Sequence, residues 1–131
     1  MNSSQIMKNS LISGGELSDM VLIDAGDGRL LPYPLDGAYA VFSDGSAGGQ
    51  FLLGSDEMLC EDTVEVRVFV PETSTAQQCR EYSKRLCLAA AQADEGRHIS
   101  SISVSKCSFN ELFRGWEDVI VFSLVQSLQQ G

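Results

Sequence analysis

The chain has 131 residues, 44% of them apolar and 21% charged, with a net charge of −9. That length supports one domain with its own core, and the apolar content excludes wholesale disorder. The acidic balance argues against a surface that grips nucleic acid or an anionic membrane, because both tasks rest on Lys and Arg. No apolar run nears the ~18 residues needed to cross a bilayer. Residues 1–8 lack a basic segment followed by an apolar one, so no secretory signal is expected.

Residues 3–13 predict a short opening helix, with Ser3 or Ser4 as N-cap and Ile6, Met7 and Leu11 at roughly helical spacing. Gly14-Gly15 ends it. Residues 14–37 are rich in turn chemistry, at 24–28 and at Pro32-Tyr33-Pro34, with a short apolar run at 20–23. A strand is expected at 38–42 and a returning segment at 51–53. Between them, 43–49 reads as a flexible, glycine-rich connection, and 54–57 reads as a polar loop.

Residues 63–70 carry the clearest strand pattern. Val64, Val66, Val68 and Val70 share one face, and Glu65, Arg67 and Phe69 the other. After Pro71, Ser74-x-x-Gln77 and Thr75-x-x-Gln78 both have capping-box form. The helix they open places Ala76, Cys79, Tyr82, Ser83, Leu86, Cys87 and Ala90 on one arc, with Leu88 as the exception, and ends near 94–96. Glu81 and Arg85 have the spacing of an i,i+4 pair. Strands are expected at 98–109 and 119–125. The second is apolar at almost every position, as in a strand covered on both faces. Phe113, Gly115 and Trp116 fall in the connection.

The expectation is therefore an α+β fold: a mainly antiparallel sheet of about four to five strands, packed by one central amphipathic helix plus a short N-terminal helix. Residues 1–131 form a single domain, with 1–15 as a short helix or arm and 63–126 as the core.

The residues offer little catalytic chemistry. The one histidine, His98, reads as a polar residue at a strand entrance. The four cysteines, Cys60, Cys79, Cys87 and Cys107, form no CxxC, so the expectation is free thiols in a reducing cytoplasm, with no metal and no cofactor. Cys79 and Cys87 lie about 12 Å apart along one helix, too far to bridge. Residues 24–28 lack the ligand spacing of a calcium loop, and 45–49 lack the lysine and spacing of a phosphate loop. Charge is divided along the chain. Residues 1–72 hold twelve acidic and three basic side chains (−9), whereas 73–131 hold six of each.

The strand at 64–70, Pro71, and the capped helix containing Cys79-Arg80-Glu81-Tyr82-Ser83-Lys84-Arg85-Leu86-Cys87 resemble the centre of tail terminator proteins of siphophages and related prophages. Ile99-Ser100-Ser101-Ile102-Ser103-Val104, a turn and 119–125 resemble the family's closing hairpin. Leu31-Pro32-Tyr33-Pro34-Leu35 and the glycine-rich stretch from Ser43 to Gly54 are similar to the lead-in of relatives in Gram-positive prophages. The resemblance spans roughly 30–126.

It implies a structural virion protein, not an enzyme. Such a protein is assembled in the host cytoplasm and located in the neck of the tail. It forms a ring, commonly a hexamer, that stops the tail tube and meets the head connector. DNA passes through without specific binding, and no membrane is involved. A ring needs two unlike surfaces on each subunit, and carboxylates facing its lumen repel phosphates. The loops at 43–50 and 54–62 are the candidates for interface or lumen, through Asp44, Gly45, Gly48, Gly49, Asp56, Glu57, Glu61 and Asp62. Two other readings stay open: an acidic inhibitor or adaptor that imitates DNA, and a small oligomeric α+β enzyme that would depend on a residue such as His98.

Overall fold

The computed structural model describes residues 3–28, 30–51, 57–93 and 98–129. In chain order the elements are α1 (Ser3–Gly14), β1 (Met20–Asp24), a single 3-10 turn (Ala25–Asp27), β2 (Ala38–Phe51), β3 (Glu57–Pro71), α2 (Ala76–Gln92), β4 (His98–Val104), β5 (Ser108–Asn110) and β6 (Gly115–Gln129). The six strands form one mixed sheet in the order β1-β2-β3-β6-β4, with β5 also paired to β6. Among the described residues β1 and β2 run parallel and the other pairs are antiparallel. This is an α+β fold.

The strand expected over 98–109 is two strands, because the chain leaves the ladder at 105–107. There Ser105 N–H donates to Val119 O at 2.8 Å, and Val119 N–H donates to Ser105 Oγ at 3.0 Å. β5 then rejoins β6 through a tight turn. Asn110 Oδ1 accepts from the N–H groups of Leu112 and Phe113, and Arg114 takes a left-handed φ of 51°. Gly115 and Trp116, expected in a connection, already belong to β6. A side chain at Gly115 would collide with the Val70 carbonyl and Leu35.

The alternation in β3 holds in three dimensions. Val64, Val66, Val68 and Val70 are buried against α1 and α2, together with Phe42, Ile120, Phe122 and Leu124 of the neighbouring strands. α2 opens as its sequence predicts. Thr75 caps it, its Oγ1 accepting from Gln78 N–H while Gln78 returns a bond to Thr75 N–H. Its buried face is Cys79, Ser83, Leu86, Ala89 and Ala90, and Leu88 points outward. Arg85 forms a two-pronged pair with Asp19, both contacts at 2.7 Å, which ties the segment after α1 to α2. The opposite face of the sheet has its own smaller core of Ile23, Leu35, Tyr39 and Phe69, covered in part by Leu31 and Phe113.

A further expectation is overturned. Residues 43–49 are not a flexible glycine-rich connection, and the described part of the expected loop at 54–62, residues 57–62, is not a loop; both are strand. β2 pairs with β3 from Tyr39↔Phe69 to Phe51↔Met58, with an irregularity between Asp44 and Ala47, and β6 pairs along the whole of β3 as far as Glu57↔Gln129. Glycine and serine have poor strand propensity, but a ladder continued from both sides of β3 supplies the hydrogen bonds that propensity lacks. β3, at 15 residues, spans about 50 Å. α2, at 17 residues, spans only about 25 Å. β3 is therefore about twice as long as α2. Among the described residues no helix is long and apolar enough to cross a membrane.

Candidate functional site

The residues marked out by sequence as interface or lumen separate into two groups. Asp44, Gly45 and Asp62 sit where the β2–β3 ladder passes under the start of α1. Asp44 accepts from Ser4 N–H at 3.0 Å, and Asp62 accepts from Ser3 Oγ at 3.1 Å. These carboxylates complement the positive end of the α1 dipole, which has no acidic residue in its own first turn. Gly45 lies at the ladder irregularity, where a side chain would meet Thr63. Gly48 and Gly49 are further along β2, opposite Glu61 and Cys60, and Glu57 begins β3. Asp56 lies outside the described residues.

A different cluster was not foreseen. Asp118 enters from β6 with no exposed surface, opposite Val68 of β3. Ser83 Oγ lies 2.9 Å from Asp118 Oδ2 and 3.1 Å from the Cys79 carbonyl, each of which accepts from it. Cys79, fully buried one turn earlier on α2, directs its thiol toward the Val68 carbonyl at 3.6 Å. Cys107, half-buried, comes from the link between β4 and β5. The sulfurs of Cys79 and Cys107 and a carboxylate oxygen of Asp118 all lie within 4.8 Å of one another. Asp118 Oδ1 is buried without a hydrogen-bond partner. The nearest cation, Arg80, stands 3.9 Å away and donates instead to the Ser105 carbonyl at 3.3 Å.

The local electrostatics follow from burial and charge. Burial, followed by the Asp118 charge and then Cys107, pushes the Cys79 thiol far above the usual thiol range. Burial and then the Asp118 charge also raise Cys87 and Cys107. All three cysteines are free. One signal in the sequence pointed to this site. Asp118 has the same parity as Ile120, Phe122 and Leu124, so extending the last strand back by two residues places a carboxylate on the core face.

The outer side of the same region is a surface of mixed character. Leu88, Ile102 and Val104 are 64%, 38% and 44% exposed and line a groove between α2 and β4, with Arg80 and Lys84 at its rim. Arg80, Lys84, Lys106 and Cys107 border the adjoining depression. β4 is the edge of the sheet on this side and β1 the edge on the other.

No protein-family model matches the chain, and no curated protein matches it.

Proposed function

We propose that the chain is a structural subunit that closes into a ring by head-to-tail contact, in the manner of a phage tail terminator, and that it works by binding other proteins rather than by catalysis. One observation carries this reading: the uneven charge along the chain becomes an uneven charge across the sheet. The acidic residues 1–72 supply α1, β1, β2 and β3, toward one edge. The neutral half supplies β6, β5 and β4, toward the other, where Arg80, Lys84 and Lys106 gather beside exposed Leu88, Ile102 and Val104.

Two unlike edges are what a heterologous, closing interface requires. The basic, apolar surface beside β4 takes an acidic surface supplied by residues 1–72 of the next copy, with charge setting the register and the apolar groove supplying burial. The length of β2, β3 and β6 gives each subunit sheet surface to share with its neighbours, the tail tube and the head connector. The acidic β2–β3 hairpin keeps the lumen negative, so DNA passes without being held. Of the segments that carry the family resemblance, 64–70 belongs to β3, 79–87 to α2, and 99–104 and 119–125 to the antiparallel β4–β6 pair, whereas the lead-in at 31–35 and 43–54 lies before β3.

Native mass spectrometry and negative-stain microscopy of the purified chain, alone and with a tail-tube protein, test the proposal. Closed rings, six-fold in the family pattern, are the expected result. Leu88→Asp with Ile102→Asp removes them and leaves a folded monomer. Glu57→Lys with Glu61→Lys spares the α1 contacts of Asp44 and Asp62 and should preserve rings while retarding DNA passage. A chain that stays monomeric at every concentration, with and without the tube protein, refutes the assembly role.

A further inference from the structure

The geometry points to a zinc-class cation site formed by Cys79 Sγ, Cys107 Sγ and Asp118 Oδ1, which would tie α2, the β4–β5 link and β6 together. The inference is independent of ring assembly and rests only on these groups. A tetrahedral centre with Zn–S near 2.3 Å and Zn–O near 2.0 Å sets its donors about 3.5–3.8 Å apart. The two sulfurs and a carboxylate oxygen of Asp118 already lie within 4.8 Å of one another, so a small side-chain adjustment brings them into range.

The carboxylate is aimed for this use. Ser83 holds Oδ2, and the other oxygen, Oδ1, is buried without a hydrogen-bond partner, while a carboxylate oxygen lies within 4.8 Å of both sulfurs. A buried acceptor in that state carries an uncompensated desolvation penalty. A cation removes the penalty outright. Ser83 is then a positioning residue, the outer hydrogen bond that orients a metal ligand.

Charge and access agree with the assignment. Two thiolates and a carboxylate around a divalent ion leave one negative charge, and Arg80, 3.9 Å from Oδ1, offsets it. Two sulfur donors favour zinc over magnesium or calcium, which take oxygen ligands. Cys107 borders a surface depression with Arg80, Glu81, Lys84 and Lys106, through which the ion would enter and from which water would complete the fourth position. Binding forms two Zn–S bonds and one Zn–O bond and releases the two thiol protons to solvent; no electron is transferred.

The test uses the full chain, reduced and stripped of metal, titrated with Zn2+ against a chromophoric chelator and separately with Co2+. The expected result is one equivalent of zinc per chain. Co2+ should show a sulfur-to-cobalt charge-transfer band and the intense visible absorption of a tetrahedral site. Cys107→Ser and Asp118→Asn should each weaken zinc binding more than about 100-fold, and Ser83→Ala about 10- to 100-fold. Cys60→Ser and Cys87→Ser should bind as the parent does. Circular dichroism of each metal-free variant separates a lost ligand from a lost fold, and alkylation of Cys79 and Cys107 should slow when zinc is present. The assignment is overturned if the reduced parent takes up no zinc, if Co2+ gives only the weak spectrum of an octahedral ion, or if folded Cys107→Ser binds zinc as tightly as the parent. It is equally overturned if Cys79 and Cys107 are joined in a disulfide in protein purified under reductant.

Discussion

Among the described residues two aspartates are buried, and the fold treats them in opposite ways. Asp24, 3% exposed at the end of β1, has both oxygens engaged. Oδ2 accepts from Ser4 Oγ at 2.6 Å and Oδ1 from Gly26 N–H at 2.9 Å, while its own N–H donates to Asp27 Oδ2 at 3.2 Å. It caps the 3-10 turn and anchors the first turn of α1, and Gly28 in the left-handed region, φ 69°, ends the turn. Asp118 has Ser83 on Oδ2, while Oδ1 is buried without a hydrogen-bond partner, with Arg80 3.9 Å away and two sulfurs close to the carboxylate. A carboxylate satisfied on all sides belongs to the architecture. One left with an open oxygen among soft donors is prepared for a ligand.

Substitution should separate the two. Asp24→Ala removes the buried acceptor of the Ser4 hydroxyl and of the Gly26 N–H and should cost about 2–4 kcal/mol in urea unfolding, with or without zinc. Thr75→Ala removes the cap of the helix that carries Cys79 and Ser83. It should cost about 1 kcal/mol and lower zinc affinity by fraying the first turn. Asp118→Asn should change the stability of the metal-free protein by less than about 1 kcal/mol, because the amide keeps an acceptor for Ser83 and buries no uncompensated charge. Zinc should then raise the Tm of the parent but not of this variant. If Asp118→Asn proves as costly as Asp24→Ala in the absence of metal, the contrast between the two sites collapses.

The smallest effect belongs to the exposed pair of Asp19 and Arg85. Its two-pronged hydrogen bond from Arg85 holds the Asp19 carboxyl below its ordinary value of 3.8. Because the folded value is the lower one, the stabilisation is complete above the unfolded pKa and disappears as the pH falls through the folded one. For an exposed pair it should amount to about 0.5 kcal/mol. The urea midpoints of the parent and Asp19→Asn should therefore differ near neutrality and converge in strong acid.

Local patterns were enough to reveal much of this protein. The valine alternation of β3 is a period-2 signal, and the Thr75–Gln78 cap and the outward Leu88 follow from helix geometry, so each is legible over a few neighbouring residues. The division of charge is likewise a property of the linear chain. The tertiary structure alone decided the rest. Residues 43–51 are strand because β3 lies beside them, against their own glycine-rich preference. The α1 N-terminus is answered by Asp44 and Asp62 from strands far along the chain. Cys79, Cys107 and Asp118 meet only because α2 packs over β6 while the β4–β5 link folds back to the same place. Hydrogen-bond ladders and ligand sets are agreements between distant segments, so no short stretch of sequence carries them.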